Sequence, residues 1–240
     1  MESIGTFYGI GVGPGDPELL TLKAVRVLRE VDVVFTSAQE RTGKSLALDA
    51  ARPHLPEGCS VMPLSFAHTF EGVASGEAHR RNARAVLEVL RRPASAAFLT
   101  VGDPMTYSTF TYLLAAVREL EPGTPVAVVP GVTSFCAAAA SAVEPLVEGD
   151  ESLAVVSASR GTAHLRDALD VADTVVVMKA YRHMDEVCAL VEQRGLQESA
   201  TFSAECTRPE EVTVRGLEAI RRLPPRYMSL FLIRNRRGDR

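Results

Sequence analysis

Gly9-Ile-Gly-Val-Gly-Pro-Gly-Asp-Pro-Glu18 decides the fold, because it follows apolar Phe7-Tyr8 and indicates a buried strand that ends in a glycine and proline loop. Two similar loops follow apolar runs 96–101 and 126–129, namely Gly102-Asp-Pro-Met-Thr-Tyr107 and Pro130-Gly-Val-Thr-Ser134. Glycine lets the backbone approach a ligand closely, and proline fixes the backbone angle φ. Ligands of open α/β sheets bind beyond the carboxyl ends of the strands, so the loops predict a rigid rim for a small molecule. For any single loop, a tight βα connection is the alternative.

Length and composition are those of a globular protein. With 240 residues, 46% of them hydrophobic and 23% charged, the chain can bury the core of one large domain or two small ones. A net charge of -4 disfavours a nucleic-acid partner. Four widely spaced cysteines without a CxxC pair indicate reduced thiols in a cytoplasmic protein. Because no leader and no apolar run near the ~20 residues of a membrane span are found, we expect no membrane association.

Patterns typical of strands and helices alternate along the chain, which predicts an α/β fold. The strand patterns are 6–12, 31–35, 60–63, 96–101, 126–129, 153–157, 174–178, 200–204, 212–215 and 228–233. The helical patterns are 22–28, 78–90, 163–169, 185–194 and 217–222. The first sheet is predicted to be mainly parallel. No helix separates 200–204 from 212–215, so an antiparallel pair and a mixed second sheet are predicted there.

The same patterns predict two α/β domains, 1–130 and 131–240. Residues 133–143 begin with Thr and Ser and continue in alanines, which predicts a buried helix that bridges the domains. Residues 144–151 are acidic and contain Pro and Gly, as is typical of a surface connection.

Several common catalytic motifs are absent from the sequence. The dinucleotide pattern Gly-x-Gly-x-x-Gly fails, since its third position is Pro14 or Asp16 depending on the first glycine. Ser108 and Ser134 have no Gly-x-Ser-x-Gly elbow around them. The five histidines lack metal-ligand spacing, so no metal is expected and surface or capping roles are predicted for them. Helix capping is the leading expectation for Asp16 and Asp103, and paired-carboxylate hydrolysis stays open.

Taken together, the loop segments resemble the tetrapyrrole methylase family, and the resemblance covers essentially the whole chain. The segments are Gly11-x-Gly-Pro-Gly-Asp-Pro-Glu-Leu-Leu-Thr-Leu-Lys-Ala24, Gly102-Asp-Pro-x-x-Tyr107 and Val129-Pro-Gly-Val-Thr-Ser134. Members of this family transfer a methyl group from S-adenosylmethionine and differ in fold from Rossmann-type methyltransferases. The resemblance implies two α/β domains with the cofactor in a cleft between them, usually in a homodimer.

Within the family, three longer segments are similar to the methylases of carbon 20 of precorrin-2 or cobalt-factor II, in cobalamin biosynthesis. These segments start at Gly5, Leu99 and Val177, and the last reads Val177-Met-Lys-Ala-Tyr-Arg182. The alternatives are a methylase of another tetrapyrrole position, a diphthine synthase, a ribosomal RNA methylase, or a non-catalytic ligand-binding module with the same fold. The sequence leaves open whether the substrate ring carries cobalt.

The resemblance also implies the site residues. The cofactor contacts carried over by motif are Pro14, Gly102, Asp103, Thr106, Thr133, Ser134, Met178 and the backbone at Cys206. For Met178, a role as an ordinary core residue is the alternative. Tyr107, Lys179 and Arg182 are candidate contacts for the substrate, whose carboxylates call for local cations. The residue that accepts the proton after methyl transfer is not identified by the sequence.

Overall fold

The computed structural model describes residues 4–37, 44–66, 76–92 and 94–235. Two compact units make up the chain, Met1–Thr133 and Ser134–Arg240. The domain limits 1–130 and 131–240 stay a prediction.

The first unit is built on a five-stranded sheet whose neighbouring strands are all parallel. Its strands are β1 (Phe7–Gly11), β2 (Val33–Ser37), β3 (Ser60–Leu64), β4 (Ala96–Thr100) and β5 (Val126–Val129). Their order across the sheet is β3-β2-β4-β1-β5. The prediction of a parallel first sheet is therefore confirmed. Since β4, β1 and β5 are neighbours, the three glycine and proline loops do leave the same edge of the sheet.

Helices cover both faces of this sheet, and β4 is consequently buried along its whole length. The helices are α1 (Leu22–Glu30), α2 (Leu46–Ala51), α3 (Gly76–Leu90) and α4 (Phe110–Leu120). Side-chain caps start two of them, with Thr21 Oγ1 accepting from Ala24 N and Ser45 Oγ from Leu48 N. On one face of the sheet, Phe98 packs with Phe7 and Phe110; on the other, Leu99 packs with Ile10.

The second unit contains a mixed five-stranded sheet, as predicted. Its strands are β6 (Leu153–Ser157), β7 (Thr174–Met178), β8 (Ala200–Ala204), β9 (Val212–Arg215) and β10 (Ser229–Arg234), in the order β6-β7-β10-β8-β9. The predicted antiparallel pair is β8 with β9. β10 runs antiparallel to both of its neighbours. The carboxyl ends of β7 and β8 therefore share one sheet edge with the amino end of β10.

The α-helices described in this unit are α5 (Ser134–Ala142), α6 (Ala163–Val171), α7 (Met184–Gln193) and α8 (Leu217–Arg221). The prediction that residues 133–143 form a buried helix is only partly right. Ala137–Ala139 are buried, but Cys136 and Ala140 are exposed, because only one side of the helix packs on β9 and β10. Among the described residues, no helix combines the length and apolar character needed to cross a membrane.

Candidate functional site

Backbone hydrogen bonds join the loop after β1 directly to the loop after β4. Val12 N donates to Thr100 O at 3.0 Å, and Gly102 N donates to Gly13 O at 2.7 Å. Gly13 and Gly102 thus form an antiparallel bridge beyond the ends of two parallel strands. Because main-chain groups make this bridge, the rim of the sheet is held without bulky side chains.

The loop after β5 packs against the other two at van der Waals distance. A Cβ atom added to Gly131 would lie 2.2 Å from Gly102 O, and one added to Gly11 would lie 2.5 Å from the same oxygen. Real Cβ atoms do not come this close to a carbonyl oxygen, so only glycine allows the three loops to meet. The three loops therefore form one rigid unit of backbone.

The Asp103 carboxylate ties the second loop to the third. Its Oδ2 accepts from Gly131 N at 3.1 Å, and its Oδ1 accepts from Met105 N at 2.8 Å. The expectation that Asp103 caps a helix is wrong, because Met105 lies in a turn and Gly131 in another loop. By contrast, Asp16 does cap a short 3-10 helix through Glu18 N at 2.8 Å. If Asp103 contributes to a cofactor site, its carboxylate does so by fixing the loops.

Replacing this carboxylate tests that role. In Asp103→Asn one oxygen becomes an amide nitrogen, which faces the N–H of either Met105 or Gly131 and cannot accept from it. We expect the free energy of unfolding to fall by about 1–2 kcal/mol, since a hydrogen bond to a charged group is lost. Urea denaturation measures this change. Asp150→Asn, an exposed position in the second unit, is the matched control and should stay near wild type; equal stability of the two variants would contradict the role of Asp103.

Two features of these loops fit a bound ligand. Gly102 is buried and has a φ of +72°, yet a Cβ added to it would meet only Val132 O, at 3.9 Å, among the residues that the structure describes. Buried backbone with open space beside it is what close approach of a ligand requires. Thr133 Oγ1 is buried and has no hydrogen-bond partner within the described part of the chain. Such an orphaned hydroxyl costs free energy unless a ligand or water satisfies it.

The remaining predicted residues of the first unit lie in the same loops. Pro14 is buried in the first loop, and Thr106 is half-buried in the second, where its N–H donates to Asp103 O at 3.3 Å. Tyr107 is exposed and has a positive φ of 49°. Such strain in a residue other than glycine is concentrated at functional sites. The structure therefore brings Pro14, Gly102, Asp103, Thr106 and Thr133 to one edge of the first sheet, with Tyr107 beside them.

A pair of hydroxyl groups, which the sequence motifs do not indicate, connects the second loop to the end of β4. Thr100 and Ser108 are buried, with 2.8 Å between Oγ1 and Oγ, and Ser108 Oγ accepts from Phe110 N at 3.1 Å. A serine shortly before an apolar helix start is a recognisable capping signal. Its partner Thr100 on the preceding strand could not have been inferred from spacing.

In the second unit, Ser134 and Met178 are in contact. Ser134 Oγ lies 3.9 Å from Met178 Sδ, so the first residue of α5 meets the last residue of β7. Met178 is half-buried and thus not an ordinary core residue. It pairs with Leu230 in the sheet, while Ala204 pairs with the neighbouring Ser229. Met178 therefore shares a sheet edge with the loop that follows Ala204.

Cys206 lies in this loop, between two residues with strained backbone. Glu205 and Thr207 have positive φ values of 52° and 63°. Burial raises the pKa of the Cys206 thiol to about 11, helped by the Glu211 carboxylate. The thiol is therefore protonated at neutral pH and unsuited to nucleophilic catalysis. What Cys206 can offer a ligand is its backbone, presented by a tightly bent loop.

The two predicted cations of the second unit follow β7. Lys179 has a positive φ of 58° and is exposed. Partial burial of its ammonium group by neighbouring protein atoms nevertheless lowers the pKa of Lys179. Arg182 is exposed, and its guanidinium carbon lies 5.4 Å from the centre of the Tyr181 ring. Both charges thus lie beyond the carboxyl end of β7, near Met178 in sequence.

The described residues contain no group of three or more His, Cys, Asp or Glu side chains arranged to hold a metal ion. His54 Nε2 lies 3.0 Å from Pro17 O, and His183 Nδ1 lies 2.9 Å from Glu186 Oε1. His79 is buried, which lowers its pKa, so the surface role predicted for it is wrong. His68 lies outside the described residues.

Comparison with known proteins gives matches over nearly the whole chain. The model of the family Tetrapyrrole (Corrin/Porphyrin) Methylases matches residues 6–220. A cobalt-precorrin-2 C(20)-methyltransferase of Salmonella typhimurium is 35% identical, over 95% of this chain and 96% of the relative. A precorrin-2 C(20)-methyltransferase of a Sinorhizobium species is 30% identical, over 83% of each chain. The structure of a Thermus thermophilus uroporphyrin-III C-methyl transferase complexed with S-adenosyl homocysteine is similar at a TM-score of 0.69 and 28% identity, over 95% of this chain and 97% of that chain.

Proposed function

Because the chain belongs to the tetrapyrrole (corrin/porphyrin) methylases, we propose that it transfers the methyl group of S-adenosylmethionine to carbon 20 of precorrin-2 or its cobalt-containing counterpart. The single observation that carries this proposal is the joined set of glycine loops at one edge of the first sheet, with open space beside buried Gly102. The relative from Salmonella typhimurium, whose name specifies both the ring and the carbon, supports the choice of substrate.

S-adenosylmethionine supplies an activated methyl group, so the task of the protein is mainly to bind and align. In our proposal the backbone around Gly13 and Gly102 lines the cofactor position. The Thr133 hydroxyl, which has no partner among the described residues, donates a hydrogen bond to the cofactor. Ser134, Met178 and the backbone at Cys206 are the contacts proposed from the second unit. Alignment of two reactants can lower a barrier by up to ~7–11 kcal/mol, provided the binding groups do not move. The backbone hydrogen bonds among the loops supply that rigidity.

We favour the cobalt-containing ring over the metal-free ring as the substrate. The cobalt-specific relative is more similar to this chain, at 35% identity against 30% for the metal-free one. The described residues offer no group of metal ligands, which is compatible with a metal held by the macrocycle itself.

Methyl incorporation tests the proposal. The protein is incubated with radiolabelled S-adenosylmethionine and either precorrin-2 or cobalt-factor II, and the product ring is isolated and counted. We expect one labelled methyl group per ring, with faster turnover of the cobalt-containing substrate. Absence of label in both rings would contradict the proposed function, whereas faster turnover of metal-free ring would contradict only the metal preference.

We further propose that the enzyme is a homodimer located in the cytoplasm. The family resemblance supports the dimer, and the spacing of the four cysteines supports a reducing compartment. Light scattering in solution should give a molar mass twice that of the chain.

A further inference from the structure

A pair of tyrosines lies at the edge of the second sheet, next to the proposed cofactor contacts. Tyr181 follows β7, and Tyr227 lies in the segment that leads into β10. Their ring centres are 5.2 Å apart and the rings meet edge to face at 70°. Tyr227 is 58% exposed, so much of its aromatic surface is available to a binding partner. Large aromatic side chains in this setting are typical of binding surfaces.

Positive charge accompanies the pair. The Arg182 guanidinium lies 5.4 Å from the Tyr181 ring centre, which is within cation–π distance. Partial burial of the hydroxyl raises the pKa of Tyr227, and the charge of Arg182 acts against this rise. Three adjacent side chains therefore present a flat aromatic surface and a planar cation that can bind a carboxylate through two hydrogen bonds.

Hydrogen bonds fix the backbone on both sides of Tyr227. Ser229 Oγ donates to Arg226 O at 2.6 Å, and the Arg226 guanidinium donates to Glu210 O at 3.2 Å. Glu205 N donates to Met228 O at 2.8 Å, which connects this segment to the strained loop of Cys206. The backbone at Tyr227 is thus held in place before any ligand binds, so little backbone entropy is lost on binding.

We propose that Tyr181, Arg182 and Tyr227, here termed the Tyr227 platform, bind the tetrapyrrole substrate, with the Tyr227 ring against the macrocycle and Arg182 paired with a peripheral carboxylate. This inference rests on the proposed function, which supplies a large, flat and polyanionic substrate. Charge complementarity selects this occupant, because the platform joins an exposed aromatic surface to a cation. The platform positions the substrate and takes no part in bond making.

Tyr227→Ala and Arg182→Gln test the platform, with Tyr112→Ala as the matched control. Tyr112 is 52% exposed and stacks on His79 in the first unit, and it is not among the proposed cofactor or substrate contacts. We expect each platform variant to raise the KM for cobalt-factor II about tenfold, as fits loss of an aromatic contact or a charge-assisted hydrogen bond. The Kd of S-adenosylhomocysteine, measured by calorimetry, should change less than twofold, and Tyr227→Phe should recover most of the lost affinity.

Direct binding of cobalt-factor II, followed by its absorbance spectrum, separates failure of the platform from failure of the proposed function. If wild type methylates the ring while both platform variants match Tyr112→Ala in KM, the platform is wrong and the function stands. If wild type methylates no ring, the function is wrong, and the platform survives only if Tyr227→Ala still weakens ring binding. A parallel loss of S-adenosylhomocysteine binding or of circular dichroism in the variants would overturn the platform in favour of a structural role.

Discussion

Gly131→Ala is expected to raise the Kd for S-adenosylmethionine at least tenfold, which corresponds to about 1.4 kcal/mol or more. The added Cβ would lie 2.2 Å from Gly102 O and 2.8 Å from Gly11 C. Both neighbours are backbone atoms that cannot rotate away, so the three loops must separate. Since Gly102 borders the proposed cofactor position, the separation removes the alignment on which binding depends. Isothermal titration calorimetry gives the Kd directly.

Gly123→Ala is the matched control for this experiment. Gly123 lies in the same unit between α4 and β5, and an added Cβ would meet no atom of the described residues within 4 Å. It should therefore bind the cofactor like wild type, and its stability should rise slightly if it changes at all. A Gly131→Ala protein that is folded and keeps wild-type affinity would remove the third loop from the cofactor site.

Phe110→Ala is expected to lower the free energy of unfolding by about 3–5 kcal/mol, the usual cost of removing a buried phenylalanine. Phe110 is fully buried, with ring centres 5.6 Å from Phe7 and 6.3 Å from Phe98. It is also the first residue of α4, directly after the second loop, and its N–H donates to Ser108 Oγ. The variant therefore loses core packing, whereas alanine keeps the backbone N–H that donates to Ser108 Oγ.

Urea denaturation of Phe110→Ala and of Tyr112→Ala separates buried from exposed aromatics on the same helix. Tyr112 is half-exposed and makes one stacking contact, so about 1 kcal/mol is expected for its loss. Similar stabilities for the two variants would contradict the packing described for the first core.

The strands and the loops at their ends were predictable because their signals are local. Apolar runs followed by glycine and proline mark β1, β4 and β5, and the parallel sheet then brings their loops to one edge. β2 was predicted two residues too early, at 31–35. Val31 instead caps the end of α1 through its N–H, and the Asp32 carboxylate binds Ser95 N at 2.8 Å. Because Val31 and Asp32 make these contacts, the strand begins only at Val33.

The contacts that join and support the loops were not predictable, because sequence spacing does not show which of these residues meet. Asp103 is 28 residues from its partner Gly131, and Thr100 pairs with a serine in a loop rather than with a strand neighbour. Helix α4 was missed although its buried residues Phe110, Leu113, Leu114 and Val117 follow helical spacing. Tyr227 carried no motif, and its place beside Tyr181 follows only from the position of β10 between β7 and β8.

The position of the transferred methyl group distinguishes methylation at carbon 20 from methylation elsewhere on the ring. Turnover of cobalt-factor II with S-adenosylmethionine carrying a ¹³C-labelled methyl group, followed by NMR of the isolated ring, identifies the carbon that receives it. We predict one new labelled methyl group, bonded to meso carbon 20. A labelled methyl group on any other ring carbon, or a ring that returns unlabelled, would contradict the account.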